Sequence, residues 1–129
     1  MISIKYVNGE NEIYNRAGHQ LQGSRSEGLT GLNPKELLEA SLGLCLSITM
    51  TKILDRDGIS YNDSGLDIEV VASKEKDMEN RFTHFSVTLR FPVLDAKYKQ
   101  KLVTMIERGC TISNTLRNGA VIEIVERED

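Results

Sequence analysis

One stretch decides the fold of this chain: residues 33–58, NPKELLEASLGLCLSITMTKILDRDG. Asn33 is a favoured N-cap residue, a proline suits the first helical position, and Glu36 stands where a capping-box carboxylate belongs. Gly58 suits the C-terminal cap. We therefore expect one helix that runs to about Asp57.

The middle of this helix is apolar around most of its circumference, because no residue between Glu39 and Lys52 is charged. A helix of this kind is buried centrally rather than laid on a surface. Gly43 at its midpoint costs helix propensity, and close packing against another backbone is a physical reason to keep it. Cys45 lies in the same uncharged stretch.

Alternating apolar and polar residues on both sides of the helix predict strands. Asn8-Gly9 is a strong hairpin turn signal between the first two. The expected elements are strands over residues 2–7, 12–15, 66–72, 82–91 and 120–125, a loop or weak edge strand over 17–32, an amphipathic helix over 95–108, and one or two helical turns over 110–116. This order predicts an α+β fold in a single domain over residues 1–129.

The composition argues against several classes of partner. The 129 residues carry a formal net charge of -3, and 5% are aromatic with no tryptophan, so nucleic acid is not an expected partner. Residues 1–6 lack the basic start and apolar run of a signal peptide. No apolar stretch is judged long enough to cross a bilayer. We therefore expect a cytoplasmic protein with reduced thiols and no membrane partner.

The two cysteines, Cys45 and Cys110, are the strongest chemical signal. Paired thiols in an intracellular chain more often do chemistry than form a structural disulfide, although each could also be an inert buried residue. Burial alone raises the pKa of a thiol, so a reactive Cys45 requires a cation brought from elsewhere in the fold. Cys110 precedes a short helix, whose N–H groups favour a thiolate at that position. The sequence leaves open whether the two thiols meet in space.

A metal site is not expected. His19 and His84 with the two cysteines have the composition of a Cys2His2 zinc site, but the short Cys-x-x-Cys spacing of such sites is absent. There is no glycine-rich phosphate loop after a strand. We expect no cofactor, whether metal, flavin or haem.

Three motifs in order resemble the OsmC/Ohr family, the osmotically inducible and organic-hydroperoxide-resistance proteins. Residues 25–38 resemble its Arg-x-Glu-Gly stretch followed by Asn-Pro-x-Glu-Leu. Residues 40–45 resemble its buried-helix motif that ends in the reactive cysteine, and residues 109–113 resemble its second-cysteine motif, Cys-Pro-x-Ser. The resemblance implies antiparallel sheets wrapped around buried central helices in an intertwined homodimer.

The resemblance also implies an activity, the reduction of organic hydroperoxides. The resemblance implies that Cys45 is the peroxidatic thiol, that Cys110 is the resolving thiol, and that Arg25 helps to hold Cys45 as a thiolate. The implied partners are a small organic hydroperoxide and a dithiol reductant such as a lipoyl protein. The candidate walls of an apolar substrate pocket lie on the helix of Cys45: Leu42, Leu44, Leu46, Ile48 and Met50.

Two positions depart from the family's pattern. Lys35 stands where the best-known members have a glutamate that pairs with the arginine, and Thr111 replaces the usual proline. Glu36 projects about 100° away from Lys35 on a helix, and we expect it to serve as a capping residue. Glu27 or Glu39 would then supply the missing carboxylate.

Two functions therefore stay open. The first is a thiol-dependent peroxidase built on Cys45, Cys110 and Arg25. The second, favoured by Lys35, is a non-catalytic binding or scaffold protein of the same fold that takes a small apolar ligand.

Overall fold

A computed structural model describes residues 1–61, 65–77 and 80–127. In chain order its elements are β1 (Ile2–Val7), β2 (Glu10–Asn15), β3 (Gln20–Gly23), α1 (Pro34–Arg56), β4 (Asp67–Ser73), β5 (His84–Arg90), α2 (Ala96–Gly109) and α3 (Thr111–Asn118). Strands β1, β2 and β3 form one sheet in that order, and β4 pairs with β5 in another. The expected α+β class is confirmed.

The chain divides into two compact units. The first comprises Met1–Ser41 and Val70–Val87, and the second comprises Leu42–Glu69 and Thr88–Asp129. Helix α1 and strands β4 and β5 contribute residues to both. The expected single domain over residues 1–129 stays a prediction.

The N-terminal hairpin of the first unit follows from its turn. Asn8 (φ 52°) and Gly9 (φ 80°) both adopt left-handed backbone, which a two-residue type I′ turn requires. Strands β1 and β2 pair antiparallel, with Ile4 opposite Ile13. The segment 17–32, expected to be a loop or a weak edge strand, contains the short edge strand β3.

The loop after β3 returns to that strand at Gly31. The Leu32 N–H donates to the Gln22 carbonyl at 3.0 Å, and the Ser24 N–H donates to the Leu32 carbonyl at 2.9 Å. A Cβ at Gly31 would lie 2.5 Å from the Gln22 carbonyl oxygen, so only glycine permits this approach. The closed loop carries Arg25.

Helix α1 begins at the expected capping box. The Glu36 N–H donates to Asn33 Oδ1 at 2.8 Å, and the Asn33 N–H donates to Glu36 Oε1 at 2.9 Å. After the other end of the helix, Gly58 has a φ of 66°, the conformation of a C-terminal cap glycine. The predicted capping role of Glu36 is confirmed.

By length and composition alone, α1 is the one helix in the described residues that is long and apolar enough to cross a membrane. The expectation that no stretch reaches that length is therefore wrong, because the whole helix Pro34–Arg56 is longer than its uncharged middle. The core helix of a water-soluble protein meets the same criterion.

The core of the second unit is built from one stripe of α1 and one of α2. Its buried side chains recur at four-residue spacing, as one face of a helix requires: Leu42, Leu46, Met50 and Leu54, then Leu102, Ile106 and Cys110. The amphipathic helix expected over residues 95–108 is confirmed as α2. Near its start, the Tyr98 hydroxyl donates to Asp57 Oδ2 at 2.7 Å, just after the end of α1.

Two apolar surfaces are uncovered in the single chain. The strand expected over 120–125 is not formed, and its apolar side chains are 83–91% exposed: Val121, Ile122, Ile124 and Val125. The alternation in β1 is typical of a half-buried strand, but its large side chains are 60–65% exposed: Ile2, Ile4 and Tyr6. Both patterns are those of strands. In the described part of the chain no strand pairs with residues 121–125, and the β1 side chains stay exposed although the strand pairs with β2.

Candidate redox site

Two free thiols meet in the second unit, where α2 gives way to α3. Cys45 lies on α1 and is half-buried, whereas Cys110 stands between α2 and α3 and is fully buried. The two thiols lie close enough for each to change the pKa of the other. The structure thus brings together the pair whose proximity the sequence leaves open.

Cys110 is the N-cap residue of α3. Its extended backbone, with φ -86° and ψ 108°, breaks the helical path between α2 and α3, and its Sγ accepts the Ser113 N–H at 3.3 Å. A Cβ at the preceding Gly109 would lie 3.2 Å from the Thr49 methyl group. The glycine therefore allows this junction to approach α1 closely. The helical turns expected over 110–116 are confirmed as α3.

The N-terminus of α3 is directed at the Cys45 sulfur. Burial raises the pKa of this thiol, but hydrogen bonds from the Cys110 thiol, the main-chain N–H groups of Ile112 and Thr111, and the Thr49 hydroxyl hold it below the ordinary value. The first N–H groups of a helix have no partner within it and carry the positive end of its dipole. Neutral donors thus stabilise the Cys45 thiolate, a role for which the sequence predicts a cation.

The pKa of Cys110 is shifted in the opposite direction. Burial raises it most, and the hydrogen bond and negative charge of Cys45 raise it further, whereas the N–H groups of Ser113 and Ile112 lower it less. The first proton of the pair therefore leaves Cys45, and Cys110 keeps its own. The N–H groups at the start of α3 favour a Cys110 thiolate, as the sequence predicts, but burial outweighs them.

The thiol with the lower pKa is also the more accessible one. Cys45 is partly exposed to solvent, and Cys110 is fully buried. The candidate pocket residues on α1 fall into two groups. Leu44, which precedes Cys45, is 63% exposed, and Ile48, about one turn after it, is 46% exposed. The other three are buried in the core: Leu42, Leu46 and Met50. Leu44 and Ile48 thus leave exposed apolar surface on α1 near Cys45.

Three candidate supporting residues lie in the first unit and already have partners. Lys35 Nζ is 3.1 Å from Glu39 Oε2, and the same oxygen accepts the Ala72 N–H at 2.7 Å. Burial raises the pKa of Glu39, but the bonds from Ala72 and Lys35 hold it below the ordinary value. Glu39 is therefore an ionised link between α1 and β4, and Glu36 is held in the capping box.

Arg25 and Glu27 lie on the loop after β3, also in the first unit, and both are exposed. Neither side chain has a hydrogen-bond or ion-pair partner in the part of the chain that the structure describes. Cys45 belongs to the second unit. The pairing of Arg25 with the Cys45 thiolate therefore stays a prediction.

Three contributors to the Cys45 environment were not predicted, the Thr49 hydroxyl and the N–H groups of Thr111 and Ile112. Thr49 lies four residues after Cys45, a spacing that places side chains on the same face of a helix, so a signal for it was present. The role of Thr111 depends on the approach of α3 to α1, which joins distant parts of the sequence and leaves no local pattern.

The sequence matches a known protein family. The family model described as OsmC-like protein matches residues 25–125. The chain belongs to the OsmC family. The resemblance carried by its three motifs is therefore confirmed.

Solved structures show the same OsmC-like fold. An OsmC-like protein from Mycoplasma pneumoniae is 14% identical, with 91% of this chain and 86% of that chain covered and a TM-score of 0.77. An organic hydroperoxide resistance protein OsmC from Legionella pneumophila is 19% identical over 91% and 89%, with a TM-score of 0.62. The organic hydroperoxide resistance protein OhrB of Bacillus subtilis is 22% identical over 91% and 90%, with a TM-score of 0.58. No curated protein matches the sequence.

Proposed function

We propose that this OsmC-family protein is a thiol-dependent peroxidase that reduces organic hydroperoxides. One observation carries the proposal: a half-buried thiol with a lowered pKa, Cys45, lies close enough to a buried thiol with a raised pKa, Cys110, for each to change the pKa of the other. The thiolate is the nucleophilic form of cysteine. The substrate class is supported by the names of the organic hydroperoxide resistance proteins that share the fold.

The proposed reaction has three balanced steps. The Cys45 thiolate attacks the terminal oxygen of a hydroperoxide ROOH, the O–O bond breaks, and Cys45 sulfenic acid and an alkoxide form; the alkoxide takes a proton from water and leaves as an alcohol. The Cys110 thiol then condenses with the sulfenic acid to a disulfide, with loss of water. A dithiol reductant, itself oxidised to a disulfide, returns both cysteines to thiols.

Steady-state consumption of cumene hydroperoxide tests the proposal. With dihydrolipoamide as the dithiol, the protein is expected to consume hydroperoxide over many turnovers. Dihydrolipoamide alone provides the uncatalysed rate. A rate with protein that equals this background would refute the peroxidase function.

The alternative is a non-catalytic member of the family that binds a small apolar ligand. The ion pair of Lys35 with Glu39 favours it, because it places a cation where the best-known members have the glutamate that orients the arginine. In this alternative both cysteines stay reduced when hydroperoxide is added.

Arg25 is expected to assist Cys45 as an added positive charge. Arg25→Ala should slow hydroperoxide consumption at neutral pH and lose its effect at alkaline pH, where Cys45 ionises without help. Arg25→Lys should restore only part of the rate, because an ammonium lacks the forked donors of a guanidinium. Arg16→Ala, at another exposed arginine of the first unit, is the matched control. Equal rates for all three variants and the wild type would show that Arg25 does not assist Cys45.

A homodimer is part of the proposal. Several apolar residues are exposed on each of three segments, β1, the part of α1 beside Cys45, and residues 121–125, whereas the exposed apolar residues of a monomer are normally scattered singly. A second copy of the chain would cover them. Light scattering at micromolar concentration is expected to give the mass of two chains, and Ile124→Asp should shift it toward one chain while Glu123→Gln does not. A monodisperse wild-type monomer would contradict the dimer.

A further inference from the structure

We infer that Gly109 is a positioning residue for the redox pair, because its missing Cβ lets the junction of α2 and α3 pack against the Thr49 methyl group. This contact sets how closely the Cys110 sulfur approaches Cys45. The inference rests on the proposed function, since it names a residue that brings the resolving thiol to the nucleophile of that site.

Each partner in the contact stands near one of the two cysteines. Gly109 is the last residue of α2 and directly precedes Cys110, the N-cap residue of α3. Thr49 lies on α1 four residues after Cys45, a spacing that places two side chains on the same face of a helix. All four residues belong to the second unit. The distance between Gly109 and Thr49 is therefore coupled to the distance between the segments that carry the two sulfurs.

The backbone at Gly109 does not itself require glycine. Its φ lies outside the left-handed region that favours this residue, and the position is helical. Glycine weakens a helix relative to alanine. The residue is also exposed, so it is not enclosed by core side chains. The physical reason for a glycine here is the close approach of one neighbour.

That neighbour is the methyl group of Thr49. An ideal Cβ at Gly109 would lie 3.2 Å from Thr49 Cγ2, closer than the usual carbon–carbon contact of about 3.5–4.0 Å. Among the described residues, this methyl is the one atom within 4 Å of such a Cβ, apart from its chain neighbours and the nearby backbone of α2. A single contact thus limits how closely the junction can approach α1.

The Thr49 methyl group is held in place by the other branch of the side chain. The Thr49 hydroxyl donates to the Cys45 carbonyl oxygen at 2.8 Å. A rotation that turned the methyl away from Gly109 would also take the hydroxyl from this carbonyl. A Cβ at position 109 would therefore widen the spacing between α1 and the junction by a few tenths of an ångström. The Cys110 sulfur would move with the junction.

The test measures the equilibrium between the dithiol and the Cys45–Cys110 disulfide in mixtures of reduced and oxidised glutathione, by counting free protein thiols. Oxidised glutathione accepts the electrons of both thiols, so that one protein disulfide and two molecules of reduced glutathione form. Gly109→Ala should lower the equilibrium constant for the disulfide about four-fold. A misplacement of about 1 Å costs about 10²-fold, and the expected shift is a few tenths of an ångström.

Thr49→Ser provides the compensating change, because it removes the methyl group and keeps the hydroxyl. In the Thr49→Ser background, Gly109→Ala should no longer lower the constant relative to the Thr49→Ser parent. Thr51→Ser is the matched control background on the same helix, where the hydroxyl also donates to main-chain carbonyls at 3.1 Å. There the four-fold loss should persist.

Three outcomes overturn the proposal. They are no effect of Gly109→Ala on the wild type, an equal effect in the Thr49→Ser and Thr51→Ser backgrounds, and a wild type that forms no disulfide. Circular dichroism checks the folding of every variant, and a folding defect in Gly109→Ala that Thr49→Ser does not restore also overturns it. The exchange needs no hydroperoxide. A protein that shows the compensation but does not consume hydroperoxide would therefore refute the proposed function and leave the role of Gly109 intact.

Discussion

Cys45→Ser is expected to reduce hydroperoxide consumption to the uncatalysed rate, whereas Cys110→Ser is expected to react once per chain and stop. A serine hydroxyl is not ionised at neutral pH, so the first variant has no nucleophile for the O–O bond. The second keeps the nucleophile, together with the N–H groups of α3 and the Thr49 hydroxyl, but cannot form the disulfide. It should stall as Cys45 sulfenic acid.

The two variants are distinguished by stoichiometry and by trapping. Hydroperoxide consumption gives the number of equivalents used per chain, and dimedone followed by mass spectrometry marks the sulfenic acid and its position. Label on Cys45 in the Cys110→Ser protein is the expected outcome. Turnover that persists in Cys45→Ser, or dimedone found only on Cys110 in the wild type, would reverse the assignment of the two thiols.

Thr111→Pro is expected to slow the labelling of Cys45 at neutral pH about ten-fold, since it removes one N–H donor to a charged sulfur. Burial raises the pKa of Cys45, and the Thr111 N–H is one of the hydrogen bonds that lower it. Without this bond the pKa rises, less thiolate is present at neutral pH, and full reactivity is reached only at higher pH. The difference should therefore shrink as the pH becomes alkaline.

The backbone at Thr111 has a conformation that proline can adopt. Thr111 is the first residue of α3, where proline is favoured and the N–H has no helical partner to lose. Cys110 before it is already extended, with φ -86° and ψ 108°, close to the conformation that a residue preceding proline prefers. Thr111→Ala keeps the N–H and is the matched control. Identical pH profiles for Thr111→Pro and Thr111→Ala would show that this N–H does not serve the thiolate.

Local signals in the sequence were sufficient for most of the fold. The capping box of Asn33 and Glu36 sets the start of α1, and Asn8-Gly9 sets the first hairpin, because each acts within a few residues. The amphipathic pattern over 95–108 predicts α2 for the same reason. The strand pattern over 120–125 fails in the single chain, since a strand also requires a neighbour, and the described residues provide none.

The chemistry of the site was less predictable than its residues. Cys45 and Cys110 were identified as candidates, but the direction of their pKa shifts depends on which sulfur faces the N-terminus of α3 and which is buried. Both facts arise when distant segments approach each other. Glu39 was proposed as a carboxylate for Arg25, whereas in the structure it pairs with Lys35. A helix offers several carboxylates within reach, and the choice among them is made by tertiary contacts such as the Ala72 N–H.

The central claim is that Cys45 and Cys110 act as one redox pair. It is tested most directly by counting free thiols after the reduced protein is mixed with a slight excess of cumene hydroperoxide and no reductant. We predict the loss of two thiols per chain, with both recovered on addition of dihydrolipoamide. Two free thiols remaining per chain would contradict the claim and favour the non-catalytic alternative.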